Sequence, residues 1–279
     1  MTSLRALAYG AILAGVAHTA YAGPVLDQIM ETGVIRTPVP DIWPPAVVQL
    51  PDGSLTGMDV EVMREIARRI GVEVEYVTHP DGSIITWDEQ TSGDWGGLYD
   101  IVVNSMTPTE ERAQYLAFPA IYSYSMAVLA VHKDNTTIRA PADASGMRIG
   151  ALRGSTLEMY LRQEPFGIVG VPPFQFRIGN PQIVSFDHEQ QTVDALVRGD
   201  GVELDGYVNY LQQVLALIDQ GAPIKVVGQP LFLDPQAIAI QPGDDELAEL
   251  LRTTVEEMHA DGTLSRLSME WFNFDFTKQ

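Results

Sequence analysis

From residue 23 onward the chain switches repeatedly between two hydrophobic periods. Residues 26–32 read as a short amphipathic turn ended by Gly33. Residues 34–39 read as a strand that Pro38 and Pro40 stop. Asp52-Gly53 marks a turn. Val60, Met63, Ile66, Ala67 and Ile70 then recur at helical spacing, with Asp59 placed to cap, Gly71 to stop, and Glu61, Arg64, Glu65 and Arg68 on the wet face. Residues 72–77 alternate as a strand does. The polar stretch 78–99 reads as a loop with at most a short helix. Further strands are expected at 100–105, 123–132, 147–152, 183–186, 204–208, 224–227 and 236–240, and helices at 157–162, 189–198, in the stretch ending at 217, and at 244–259. The last of these carries the stripe Leu247, Leu250, Leu251, Val255 and Met258, and a final short helix presents Leu264, Leu267 and Trp271. Residues 165–181, rich in Gly, Pro and Phe, read as an irregular excursion. Strand–helix alternation without a tandem repeat predicts α/β layers on a mainly parallel sheet. A long helix after the last strand permits a chain that leaves one domain, builds a second and returns.

Composition narrows the function. A length of 279 residues suits about two domains. The 17 basic and 37 acidic residues leave a formal charge of −20, which argues against nucleic acid and against docking on anionic lipid. The absence of cysteine excludes disulfides, thiolate metal sites and a cysteine nucleophile. Residues 1–22 read as a secretory signal: Arg5, an uncharged apolar run over 6–17, then Ala20-Tyr21-Ala22 with cleavage expected before Gly23. The run is too short to cross ~30 Å of hydrocarbon. No later stretch reaches the ~18 apolar residues that a span needs. A soluble periplasmic protein of a Gram-negative bacterium, with no membrane insertion after cleavage, is expected.

Catalytic motifs are missing. There is no phosphate loop, no H-E-x-x-H and no G-x-S-x-G elbow. The histidines are scattered, without metal-ligand spacing. Acid pairs such as Asp244-Asp245 and Glu256-Glu257 fall on wet helix faces. No catalytic residue, metal or cofactor is expected. Gly154-Ser155-Thr156, between a strand and a helix, reads either as an ordinary N-cap or as an anion site.

Seven segments, in order, resemble the extracellular solute-binding proteins of family 3: LDQIMETGVIR at 26–36, Trp43-Pro44-Pro45, DGSLTGMDVEVMREIARRIGVEVEYV at 52–77, YDIVVNSMTPTEERAQYLAFPAIY at 99–122, RIGALRGSTLEMYL at 148–161, DALVRGDGVELDGYVNYL at 194–211, and AIAIQPGDDELAELLRTTVEEMHADGTLSRLSMEWF at 237–272. The resemblance implies a type II periplasmic binding protein fold: two doubly wound α/β domains joined by two crossover strands, with the ligand in the interdomain cleft. Domain 1 would comprise 23–126 and 238–279, and domain 2 would comprise 127–237. It further implies a monomer that takes an amino acid or related small carboxylate to an inner-membrane ABC permease.

The resemblance also assigns residues. Arg112, in a Ser/Thr-rich strand end followed by T-x-x-R (Ser105, Thr107, Thr109), would grip the carboxylate; a guanidinium fork matches that group bidentately. The alternative is that Arg112 pairs with Glu110. Thr156, with Ser155 and the backbone at Gly154, would meet the same anion from domain 2. Trp43 would stack on the ligand. Three positions depart from the family pattern. Pro40 stands where an acid is common, with Asp41 one place later. Asn209-Tyr210 stands where an aspartate usually holds the α-ammonium. Leu157 replaces a glutamine frequent in receptors for basic amino acids. Asp41, Asn209 and Tyr210 are carried as ligand-contact candidates, with Asp187 or Asp205 as other sources of charge. A cationic ligand side chain is disfavoured, because a buried ammonium without a carboxylate is costly. The opening and closing segments also resemble periplasmic cyclohexadienyl dehydratase, an enzyme on the same fold. That enzyme's catalytic glutamate falls at Gln213, which cannot deliver a proton as an acid does.

Overall fold

The computed structural model describes residues 23–278. The first lobe opens with α1 (Pro24–Thr32), β1 (Val34–Pro38), the hairpin strands β2 (Val48–Gln49) and β3 (Leu55–Thr56), α2 (Met58–Ile70), β4 (Glu73–Val77), α3 (Trp87–Ser92) and β5 (Val102–Met106). Strand β6 (Ile121–His132) leads into the second lobe: β7 (Arg148–Leu152), α4 (Thr156–Arg162), β8 (Gln182–Phe186), α5 (Glu189–Val197), β9 (Gly206–Tyr210) and α6 (Leu211–Asp219). Strand β10 (Ile224–Ala239) returns, and α7 (Asp245–Ala260) and α8 (Thr263–Phe272) pack back on the first lobe. The expected leader, residues 1–22, lies outside the described residues.

The sheet is more antiparallel than the alternation suggests. Its order is β5-β10-β6-β9-β7-β8. The ladders β5–β10, β10–β6 and β6–β9 are antiparallel, and only β7–β8 and β7–β9 are parallel. The cause is the pair of long strands, β6 of 12 residues and β10 of 16, which run in opposite directions between the lobes. The segments 224–227 and 236–240, expected as separate strands, belong largely to the single strand β10. Pairing with β6 resumes at Phe232 and joins the two segments, with a register shift between Val227 and Phe232.

Alternation along the strands builds a core on each sheet face. Ala127, Leu129 and Val131 of β6 enter one cluster with Ile149, Val208 and Tyr210; Val128 and Ala130 enter another with Val193, Leu196 and Tyr207. In the first lobe, Val103 joins α1, α2, α7 and α8, while Val102 and Met106 face Trp95, Tyr99 and Leu116. Layers on both faces of each sheet make the architecture doubly wound α/β.

The same clamp pins each lobe. Arg36 in β1 donates from its amide, Nε and Nη2 to Asp100, at 2.9, 3.1 and 2.6 Å. Arg148 in β7 does the same to Asp205, at 2.8, 3.2 and 3.0 Å. In both cases the aspartate precedes the next central strand and its amide donates back to the arginine carbonyl. Asp205 is thereby committed to the sheet and not to the cleft.

The N-cap of helix α2 is Gly57, two residues before the expected Asp59 cap. Gly57 has φ 118°, and a Cβ there would lie 2.4 Å from the Ala46 carbonyl oxygen. This close approach lets the amides of Met58 and Asp59 donate to Pro45 and Ala46, fastening the Trp43 loop to the helix. Asp59 itself is buried and accepts from Ser105 Oγ and Tyr122 OH, each at 2.8 Å.

Two outcomes follow. Asp100→Ala leaves Arg36 facing an empty socket and lowers the unfolding free energy in urea by about 3 kcal/mol. Asp205→Ala gives a smaller loss, because Asp205 is 23% exposed against 2% for Asp100. Equal losses would contradict this ranking. Burial raises the Asp59 pKa from 3.8 to about 6, so the native state holds this proton more tightly than the unfolded chain. Its contribution is full below about pH 3.8 and is lost as the pH rises through about 6. The unfolding free energy of Asp59→Asn minus that of wild type therefore increases across this window and levels off above it. A difference that stays constant with pH would contradict the assignment.

Candidate functional site

Strand β5 ends in Ser105-Met106, and the chain turns through Thr107-Pro108-Thr109 into a 3-10 turn that begins at Arg112. Thr109 Oγ1 accepts the Arg112 amide at 3.1 Å and fixes the turn. The guanidinium is only 4% exposed. It donates through Nη1 to the Thr107 carbonyl at 3.0 Å and through Nη2 to the Gly154 carbonyl of the second lobe at 3.3 Å, and it lies 5.2 Å from the centre of the Trp87 ring. Among the described residues no carboxylate forms an ion pair with it, Glu110 included. Burial pulls its pKa below the ordinary arginine value, opposed by the nearby Tyr210 and Asp234.

Opposite Arg112, the second lobe presents Thr156 and Tyr210. Thr156 Oγ1 stands 3.5 Å from Thr107 Oγ1 across the junction, 3.1 Å from Tyr210 OH, and donates to Asp234 Oδ2 at 2.9 Å. Tyr210 OH donates to the same oxygen at 2.5 Å. Asp234 is fully buried, and burial pushes its carboxyl up to about 6 against these hydrogen bonds and the Arg112 charge. The Gly154 amide, a candidate anion donor by sequence, is already used: it donates to Glu158 at 2.8 Å. Ser155 is the N-cap of α4 and accepts from the Glu158 amide. The hydroxyl of Thr156 is what reaches the centre.

Trp43, Ser105, Thr107, Arg112, Ser155, Thr156 and Tyr210 line one small cavity, together with Trp87 and Leu152. The structure thus brings most of the sequence-derived candidates together. Trp43 stacks on Tyr210 with 6.0 Å between ring centres and 13° between planes. Ser105 has φ 45°, a costly conformation for a residue with a Cβ, and its hydroxyl is turned to Asp59. Asp41 lies further out, in a cleft of about 370 Å³ between Trp43, Trp87 and Asp88 on one lobe and Arg153, Asp187 and His188 on the other. There Asp187 pairs with Arg153 at 2.7 Å. Asn209 points to the opposite face of β9 from Tyr210 and donates to Glu189 at 2.6 Å. Burial raises Glu189 to about 7.

Two residues at the site were not anticipated. Trp87 falls in a stretch without periodicity; its indole Nε1 donates across the cleft to the Gly154 carbonyl at 3.4 Å. The Thr86–Glu89 capping box was the local signal for its helix. Asp234 lies in the part of β10 that did not read as strand. The excursion after α4 also crosses between lobes: Thr109 and Ile168 form a β-bridge, the Glu110 amide donates to the Gly167 carbonyl, and the Val169 amide donates to that of Pro108.

The family profile of the bacterial extracellular solute-binding proteins, family 3, matches residues 35–274. The L-cystine-binding protein TcyJ of Escherichia coli K12 is 26% identical over 272 residues, covering 96% of this chain and 94% of the relative. A probable amino-acid ABC transporter-binding protein of Haemophilus influenzae is 24% identical over 260 residues, 92% of each chain. Among solved structures, the ancestral amino acid-binding protein AncCDT-1, described as a precursor of cyclohexadienyl dehydratase, superposes with a TM-score of 0.75 at 25% identity, covering 88% of this chain and 99% of that one. The two α/β lobes and their paired long strands have the type II periplasmic binding protein architecture. With the profile match extending through both lobes, the chain belongs to the bacterial extracellular solute-binding proteins, family 3.

Proposed function

We propose that this protein captures a small amino-acid-like carboxylate in the cleft between its lobes and delivers it to an inner-membrane ABC permease. The observation that carries this reading is Arg112: a buried guanidinium at the lobe junction, held by carbonyl oxygens and not by a carboxylate. A ligand carboxylate gives this charge the acceptor it lacks, and Thr107 and Thr156 supply hydroxyls from both lobes. An anion held from both sides favours the shut arrangement over the open one, so binding and closure are linked. The relatives support the ligand class by name: one binds L-cystine and another is a probable amino-acid ABC transporter-binding protein.

The role is binding and not catalysis. Gln213, at the position of the dehydratase glutamate, is a buried amide on α6 with no acid to offer. The similar AncCDT-1 is itself described as an amino acid-binding protein. Export by the signal-like residues 1–22 fits a family of extracellular proteins and a periplasmic, monomeric receptor. The lobe division at 126/127 and 237/238 is supported by the separate cores.

Calorimetric titration with amino acids and small organic acids tests the reading. Wild type binds at least one of them. Arg112→Ala weakens it tenfold or more, since a hydrogen bond to a charged group contributes ~1.5–3 kcal/mol. Unchanged affinity in the variant would overturn the proposal. Formation of product from prephenate would move the protein to the enzymes of this fold.

A further inference from the structure

Between α4 and β8 the chain takes a route far longer than the connection requires. A helix-to-strand connection in an α/β layer usually takes about 2–6 residues, whereas residues 163–181 separate these two elements. A loop of this length without helix or strand is uncommon and generally serves a function. Its base is fixed on the second lobe by aromatic packing. Phe166 and Phe174 lie 5.8 and 4.9 Å from Phe232 of β10, and Phe176 lies 5.4 Å from Tyr160 of α4, ring centre to ring centre. Tyr160 OH accepts the Arg177 amide at 2.7 Å, and Gln163 Nε2 donates to the Ile178 carbonyl at 2.8 Å.

The tip of this segment grips the first lobe. The side chain of Ile168 is buried in the second lobe's core, while its backbone forms an antiparallel bridge with Thr109. The Glu110 amide donates to the Gly167 carbonyl at 2.8 Å, and the Val169 amide donates to the Pro108 carbonyl at 2.9 Å. A Cβ on Gly167 would lie 2.1 Å from Glu110 Cδ, so the missing side chain lets the two segments approach. The gripped segment is the turn that leads into Arg112, whose amide donates to Thr109 Oγ1.

These bonds differ in kind from the contacts at the cavity. They run from main chain to main chain. Among the described residues that line the Arg112 cavity and the outer cleft, none belongs to 163–181. A ligand in the cleft neither needs these groups nor displaces them. An interaction made only in the shut arrangement, and indifferent to the ligand, shifts the balance between open and shut by the same factor with and without it. It raises the fraction of free protein that is already shut. It also slows release, because a ligand enclosed between the lobes leaves after they part.

We propose that residues 163–181 are a latch: the pairing of Gly167–Val169 with Pro108–Glu110 holds the lobes shut in the absence of ligand and sets how long a captured ligand stays. The closure stands without the receptor reading above, and the residence time rests on it.

The test reads the two parts separately. The chain has no cysteine, so one cysteine introduced on an exposed residue of each lobe carries a pair of spin labels whose separation reports closure. Ligand-free protein with the native latch shows a shut population. Val169→Pro removes one donor at a residue that is 49% exposed, and it moves the shut-to-open ratio towards open by on the order of five- to tenfold. Val169→Ala keeps the amide and matches the native latch. Should Val169→Pro not fold, Gly167→Leu is the second variant, because its side chain meets Glu110 and parts the two segments. For a ligand found by titration, release followed through the fluorescence of the cavity tryptophans Trp43 and Trp87 speeds up by the same factor in Val169→Pro. Ligand-free protein that is wholly open, a Val169→Pro distribution that superposes on the native one, or a Val169→Ala variant as open as Val169→Pro would overturn the latch. No binding of any amino acid or small organic acid would overturn the receptor reading, while the distances in ligand-free protein still decide the latch.

Discussion

A buried arginine without a carboxylate is the constraint around which this molecule is arranged. Arg112 is placed by the end of a central strand, a threonine-capped turn and the face of Trp87, and its free hydrogen-bonding capacity is directed at carbonyls of both lobes. Carbonyl oxygens satisfy geometry but leave a full charge only partly compensated in a dry environment. The lobes meet at this charge, which donates to a carbonyl of each.

Each lobe is built around cores of its own. Each lobe has hydrophobic clusters on its sheet faces and its own arginine–aspartate clamp, Arg36–Asp100 in one and Arg148–Asp205 in the other. Between them run β6 and β10, with a register shift between Val227 and Phe232. Contacts across the junction include Arg112 and Trp87 to the Gly154 carbonyl, Thr107 to Thr156, the stack of Trp43 on Tyr210, and the short bridge at Thr109 and Ile168. Such contacts are separable, and a ligand that touches both sides shifts the balance between open and shut by its differential affinity. Asp234, on the connecting strand β10, holds Thr156 and Tyr210 from behind the cavity they line.

Much of the fold was legible in local pattern. The stripes of α2 and α7 are strongly periodic, and Gly71 closes α2 as expected, because a helix with one apolar face leaves a 3.6-residue signature regardless of what it packs on. The Arg112 constellation entered through the family resemblance, whose motif of Ser105, Thr107, Thr109 and Arg112 is contiguous in the chain. What failed to read depended on partners distant in sequence. Strand β10 pairs with β6 on either side of a register shift, and its middle, broken by Gly228, Pro230 and Pro235 and including Asp234, carried no clear strand signal. The antiparallel centre of the sheet follows from the same pairing. Asp59 looked like a cap because acids favour that place, yet Ser105 and Tyr122, far along the chain, draw it inward. Asn209 and Tyr210 were indistinguishable in register by sequence. The pleat separates them, sending one to Glu189 and the other to the cleft.

The most direct measurement is a crystal structure of the protein with its tightest-binding amino acid. The account predicts the ligand carboxylate within hydrogen-bond distance of the Arg112 guanidinium, with Thr107 and Thr156 on either side of it. A ligand seated elsewhere, with Arg112 still bound to the carbonyls of Thr107 and Gly154, would contradict it.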